Sequence, residues 1–287
     1  MASPLTQTHQ QFVDQLKHQH RSTNTILAYG KDIAQFLGYL NKNHKTASDQ
    51  ITTQDITDFQ GSLSADYTVK SISRKLNSIK TFCRFLNQNG DLKHNPATQV
   101  HSPTLPASTP RILTKIEYRA LRDAARDDLR LAAVVELLLQ TGLRIGELGH
   151  LKLEHINKDK TAVTIRPYES HSGRTVPLNS AARQALDRYL KDRPRSHDNA
   201  LFITKTGHPF LIRNIRSSLN RLFKKAGIAK ATVNDLRHTF IAQQLTAGTP
   251  LHYVTQIVGH KRLSTTEQYL KYVKPGSLKS AIQLEEL

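Results

Sequence analysis

The sequence predicts a mostly α protein in two parts: a helical N-terminal domain, then an α+β domain with one small β-sheet. Three observations carry this. The stretch His101-Ser-Pro-Thr-Leu-Pro-Ala-Ser-Thr-Pro110 holds three prolines and no sustained periodicity. It reads as an extended linker, because proline ends helices and stiffens the chain. Before it, apolar residues recur at helical spacing; after it, helical patterns flank two short alternating segments. The 287 residues are enough for two ordinary domains, placed at 1–104 and 105–287.

In chain order, Ser22 or Thr23 opens a helix whose Ile26, Tyr29, Ile33, Phe36, Leu37 and Leu40 keep to one face. A shorter helix covers residues 54–63. The most informative helix spans 68–87, where Val69, Ile72, Leu76, Ile79, Cys83 and Leu86 form an apolar seam. On a neighbouring face Lys70, Arg74, Asn77, Lys80 and Arg84 recur at near-helical spacing. A helix with one buried stripe and one basic stripe suits lying against DNA, where cations neutralise phosphates. The same stripe also reads as an ordinary solvated face. Asn95-Pro96 ends the helical part.

Beyond the linker, Leu131, Val134, Val135 and Leu138 make an apolar helix stopped by Thr141-Gly142. Residues 161–165 alternate as a strand and 174–178 return as its partner. Helices follow over 212–226 and from 235 onward. Thr249-Pro250 is an N-cap and first-turn pair, and Gly259 closes that helix. Ser264-Thr-Thr-Glu267 reads as a capping box that opens a helix bearing Tyr269.

The formal charge of +18 and pI near 10.0 favour a polyanionic partner. Residues 1–100 carry +4 and residues 101–287 carry +14, so the larger basic surface belongs to the second part. A single cysteine, Cys83, excludes an internal disulfide framework and a cysteine-based metal site. The fourteen histidines include no pair at metal-ligand spacing beside carboxylates. No metal and no cofactor is expected. No apolar run approaches the roughly 18 residues of a membrane span, and the polar N-terminus lacks a signal core. A cytoplasmic protein is the expectation.

Chemistry concentrates late in the chain. Arg144 lies in Thr141-Gly-Leu-Arg-Ile-Gly-Glu-Leu148, Arg237 in Asp235-Leu-Arg-His-Thr-Phe240, and His260 and Tyr269 in the segment that follows. Arginine grips two phosphate oxygens at once and stays charged near neutral pH, and tyrosine serves as a covalent nucleophile. Taken singly, each has a plain structural reading. Arg144 can form a surface pair with Glu147, three residues on. Tyr269 can simply pack in a core. Tyr253 and Tyr272 are rival phenols.

The four segments in this order resemble the tyrosine recombinase (phage integrase) family, across nearly all of the second domain. The helical first domain is similar to that family's core-binding domain. The resemblance implies a tyrosine recombinase fold and a site-specific DNA recombinase. Arg144 and Arg237 would hold the scissile phosphate, His260 would add a hydrogen bond, and Tyr269 would form a 3′-phosphotyrosyl bond. Two departures stand out. The place three residues before the second arginine, histidine in most of the family, holds Asn234, which donates a hydrogen bond but shuttles no proton; it also reads as a helix N-cap. The family's hairpin lysine has no clear equivalent: Glu169 lies near its place, leaving His171 as a substitute acid, or Lys158 and Lys160 if the hairpin is shifted.

The implied partners are double-stranded DNA with specific recombination sites, further copies of the chain in a homotetramer, and accessory DNA-binding proteins. The tail of residues 271–287, with Leu278, Ile282 and Leu284 as anchors, would dock on a neighbouring subunit or on its own domain. No additional arm-site domain is expected at the N-terminus. The resemblance thus implies a simple chromosome-dimer resolver, a transposon resolvase or a mobile-element integrase. Two alternatives remain: a DNA-binding relative with little strand exchange, and a type IB topoisomerase.

Overall fold

The computed structural model describes residues 4–105, 109–168 and 171–272. The chain divides into two compact units, Met1–Ser108 and Thr109–Leu287.

The first unit is helical: α1 (Leu5–His18), α2 (Thr23–Lys42), α3 (Thr53–Ser62) and α4 (Val69–Gln88). Each of the last three starts on a hydroxyl. Ser22, Thr52 and Thr68 accept from the backbone N–H three residues on, which satisfies donors that a helix start leaves open. Phe12 meets Phe82 edge-on with centroids 5.2 Å apart, and Phe36 meets Phe59 at the same distance. Of the expected α4 seam, Ile72, Leu76, Ile79, Cys83 and Leu86 are buried. Val69, in the first turn, remains exposed. Helix α1 was not expected, because Leu5, Phe12 and Leu16 are its few apolar landmarks among glutamines and histidines.

A buried polar knot ties α2 to α4. Asp32, fully inside, accepts from Lys75 Nζ at 3.0 Å, from Ser78 Oγ at 2.7 Å and from the Arg74 guanidinium. Lys75 also donates to Gln35 at 2.6 Å. A carboxylate survives in the interior only with such partners.

The second unit runs α5 (Lys115–Ala125), α6 (Leu129–Thr141), α7 (Ile145–Gly149), β1 (Ala162–Ile165), β2 (Arg174–Pro177), α8 (Ser180–Asp192), α9 (Ile212–Lys225), α10 (Val233–Thr246), α11 (Leu251–Val258) and α12 (Ser264–Glu267), then a 3-10 turn at Leu270–Tyr272. The strands pair antiparallel with Val163 opposite Val176 and Ile165 opposite Arg174. Neither α5 nor α8 was expected, although Thr114 and Glu117 form a capping box at the start of α5. Helix α10 is buried on nearly every side, from Val233 to Leu245, so it shows no amphipathic stripe.

Three start signals need correction. Asn234 is not an N-cap: Thr232 holds that place, its N–H donating to Asp235 at 2.7 Å. Thr249 does not cap α11, which starts from Pro250; its hydroxyl donates to Gln244 instead. Ser264-Thr-Thr-Glu267 is the whole of α12 rather than the opening of a longer helix, so Tyr269 sits in the turn after it.

Candidate active site

Two chain reversals in the second unit deliver the site. Helix α6 ends at Gly142, whose φ of +61° is the left-handed conformation that favours glycine. A Cβ there would stand 2.4 Å from the Phe240 ring, so α6 and α10 approach closely at this point. The chain then enters α7 with Arg144 just ahead of it. Helix α11 likewise ends at Gly259, with φ +66°, where a Cβ would lie 2.9 Å from Arg174 Nη1. That turn points the Val258 and Gly259 carbonyls at the arginines and leads into His260.

The two sequence-predicted arginines converge on it. Arg144 donates to Val258 O at 3.3 Å and Gly259 O at 3.1 Å. Arg237 donates to the same Val258 O at 2.7 Å and to Gly142 O at 2.6 Å. One shared acceptor puts the guanidinium groups within two hydrogen-bond lengths of each other. Like charges so close need an anion, and Glu147 supplies it.

Glu147 does pair with Arg144, as one plain reading of the spacing allowed, but not at the surface: its side chain is 1 % exposed. It accepts from Arg144 Nη1 at 3.0 Å, from the Arg144 N–H at 2.9 Å, and from both terminal nitrogens of Arg174 at 2.8 Å. Burial alone would raise its pKa, but the hydrogen bonds and charge of Arg174, then Arg144, bring it down to about 2. Arg174 had been read only as a strand end. It is the third cation of the cluster, its side chain buried, on a strand that the hairpin register carries to Glu147. Nothing in the spacing of residues 147 and 174 announces the pair.

The site therefore holds three guanidinium groups against one carboxylate. Burial, then the charge of Arg144, lowers Arg237 to about 9, which still leaves it protonated at neutral pH. The same forces act on His260. Burial, then Arg237, Arg144 and Arg174, hold it down to about 3, so the ring is neutral, and its Nδ1 bonds Thr266 Oγ1 at 2.8 Å.

Tyr269 joins this cluster through a residue that sequence reasoning passed over. Its hydroxyl is buried and bonds His238 Nδ1 at 2.6 Å rather than either arginine. Burial raises its pKa while Arg237 opposes the rise. His238 directly follows Arg237, and its place in the motif was the signal available. Of the rival phenols, Tyr272 Oη is buried without a hydrogen-bond partner among the described residues, and Tyr253 is half-buried against the core.

The remaining predicted residues fall as follows. Asn234 is exposed one helical turn before Arg237. His171 lies in the hairpin, its backbone bonded both ways to Tyr168. Its Nδ1 is buried without a partner among the described residues, and burial, then Arg144, lowers its pKa, with Lys261 and Arg237 adding to the fall. Lys160 is ion-paired with Asp187 on α8, while Lys158 sits in the same turn. Glu169 and the expected docking tail from residue 273 lie outside the described residues. Among the described residues, no group of three or more histidine, cysteine, aspartate or glutamate side chains could hold a metal, and no helix is long and apolar enough to cross a membrane.

On α4 of the first unit, Lys70, Arg74, Asn77 and Arg84 are exposed and Lys80 is half-buried, with Nζ 3.3 Å from Ser102 Oγ. Arg74 also serves the interior through Asp32. The stripe thus faces solvent, but one of its cations is shared with the core.

Comparison with known proteins places this architecture. The phage integrase family model matches residues 111–274, and the model of the phage integrase N-terminal SAM-like domain matches 9–90. The tyrosine recombinase XerC of Leptospira interrogans serogroup Icterohaemorrhagiae serovar copenhageni is 31 % identical over 94 % of this chain and 90 % of its own length. XerC of Listeria monocytogenes serovar 1/2a is 30 % identical over 92 % and 93 %. A crystal structure of XerA recombinase is similar at 28 % identity and TM-score 0.54, covering 94 % of this chain and 95 % of that one. A lambda integrase dimer bound to a COC′ core site shares the fold at TM-score 0.76 and 17 % identity, covering 92 % and 97 %. The first match spans every residue of the cluster just described, and the chain belongs to the phage integrase family, as a tyrosine recombinase of the Xer type.

Proposed function

We propose that the protein is a site-specific DNA recombinase that breaks and rejoins DNA through a covalent 3′-phosphotyrosyl intermediate. The observation that carries this is the shared Val258 acceptor, which gathers Arg144 and Arg237 beside the turn that leads to His260 and Tyr269. Fixed cations in a buried setting favour the charge that grows on a phosphorane more than they would in water. Arg144 and Arg237 exchange carbonyl partners for the nonbridging phosphate oxygens, His260 adds a hydrogen bond, and Asn234 donates one more from the exposed turn of α10. Tyr269 attacks phosphorus and the 5′-oxygen leaves; attack by a 5′-hydroxyl of the same or a partner duplex reverses the step. The bond energy stays in the phosphotyrosine, so no cofactor or metal enters.

His171 is the proton donor to the 5′-oxygen in this reading. It sits within electrostatic reach of both arginines on the hairpin, and an arriving phosphate anion offsets their charge and favours its protonated form. Residues 1–104 act as the core-binding domain, with Lys70, Arg74, Asn77, Lys80 and Arg84 on phosphates, and residues 105–287 as the catalytic domain. A lambda integrase structure shows a tetramer bound to a Holliday junction, which supports a homotetramer on two sites here, in a cytoplasmic setting. A role in a mobile element draws support from the fold shared with a Tn1549 transposon integrase.

The test is a duplex nicked beside the cleavage position, which traps protein on DNA. Trapping by the parent and its loss in Tyr269→Phe are expected; undiminished trapping by that variant refutes the assignment. Asn234 and the hairpin without a lysine favour a second reading, a DNA-binding relative with little strand exchange. Recombination of a two-site plasmid ends that reading; binding and trapping without recombinant product supports it.

A further inference from the structure

Arg237 and His238 are neighbours on α10, yet their side chains part. Arg237 goes to the Gly142 and Val258 carbonyls, while His238 meets Tyr269 with rings 5.8 Å apart and tilted by 32°. Of the two histidines in this cluster, His260 has its Nδ1 on Thr266. It is His238 that touches the oxygen assigned to attack, at 2.6 Å.

We propose that His238 is a catalytic residue whose Nδ1 takes the phenolic proton of Tyr269 as its oxygen bonds to phosphorus. This rests on the phosphotyrosyl reading above. An accepting Nδ1 leaves the ring's own proton on Nε2. Burial holds His238 below the ordinary histidine range; Asp235 opposes the fall and Arg237 adds to it, so the ring is neutral and able to accept near pH 7. The burial that raises Tyr269 means that the phenol does not ionise unaided.

The step balances. The Tyr269 O–H bond breaks and its proton passes to Nδ1, giving an imidazolium. The phenolic oxygen forms its bond to phosphorus, the bond from phosphorus to the 5′-oxygen breaks, and that oxygen leaves with the proton held by His171. Rejoining runs the transfers backward, with the imidazolium protonating the departing phenolate.

The test is single-turnover trapping by the full chain on the nicked duplex, from about pH 7 to about pH 9.5. His238→Asn keeps a hydrogen-bonding oxygen near the Nδ1 position but accepts no proton. DNA binding by gel shift should stay within about two-fold of the parent, while trapping slows by roughly 100-fold or more at neutral pH. The deficit should shrink as pH rises and hydroxide takes over the role. The titratable and charged groups around His238 are Asp235 and Arg237 on its own helix and His260 and Tyr269 from the segment after α11. All but His238 are present in parent and variant alike, so the difference between the two profiles isolates its role. Trapping within about three-fold of the parent at neutral pH overturns the proposal. So does a loss of equal size at every pH, which marks a positioning role. His238→Gln, compared in the same way, guards against misfolding of one variant. Tyr269→Phe run alongside separates the two failures, since trapping by that variant sinks the phosphotyrosyl reading itself.

Discussion

Replacing Glu147 by glutamine keeps the side chain's size and removes the one negative charge among three cations. The carboxylate is 1 % exposed and takes four hydrogen bonds from Arg144 and Arg174. Its pKa falls from the ordinary 4.5 to about 2 on folding, which corresponds to about 3 kcal/mol of stability at neutral pH. Breaking a buried pair from one side costs a similar ~3–5 kcal/mol, because the remaining charge is left without a counterion. The sign follows from the depressed value. The contribution is complete above pH 4.5 and fades as pH falls toward about 2. Urea denaturation of the full chain, followed by far-ultraviolet circular dichroism, reads this directly, and the transition of the first unit serves as an internal reference. Glu147→Gln should lose about 3 kcal/mol from the second unit at pH 7, and the deficit should narrow steadily below pH 4.5. Equal stability at pH 7, or a deficit that does not change with acid, would refute the account of Glu147 as the site's counterion.

Three further perturbations test the scaffold. Gly142→Ala puts a Cβ 2.4 Å from Phe240 at a positive φ; strain and overpacking together should cost roughly 2–4 kcal/mol, measured by the same denaturation. Asp32→Ala leaves Lys75 buried without its anion and should destabilise the first unit by about 3–5 kcal/mol while the second unit's transition stays in place. Burial pushes the Cys83 thiol up to about 12, so a thiol reagent near pH 8 should leave the folded protein unmodified and label it only as the first unit unfolds; rapid labelling of native protein would contradict the buried seam of α4.

Much of the fold was legible where one face of an element is apolar and its ends carry caps. The helix with the seam from Ile72 to Leu86 follows from spacing, and Gly142 and Gly259 stop their helices because only glycine enters the left-handed region cheaply. Reading failed where that contrast is missing. Helix α1 was missed because its buried Leu5, Phe12 and Leu16 are widely spaced among polar residues, whereas α10, read from 235 onward, was found although most of its sides are buried. The same limit governs the site. Arg144, Arg237, His260 and Tyr269 stand in motifs whose order the chain itself displays, and charge and residue type point to phosphate chemistry. Which groups touch is another matter. The pairing of Arg174 with Glu147, and the hydrogen bond from Tyr269 to His238 instead of to an arginine, join residues far apart in the chain. Such contacts arise from strand register and helix packing, long-range geometry that local spacing does not encode, so they became visible only once the second unit had folded around them.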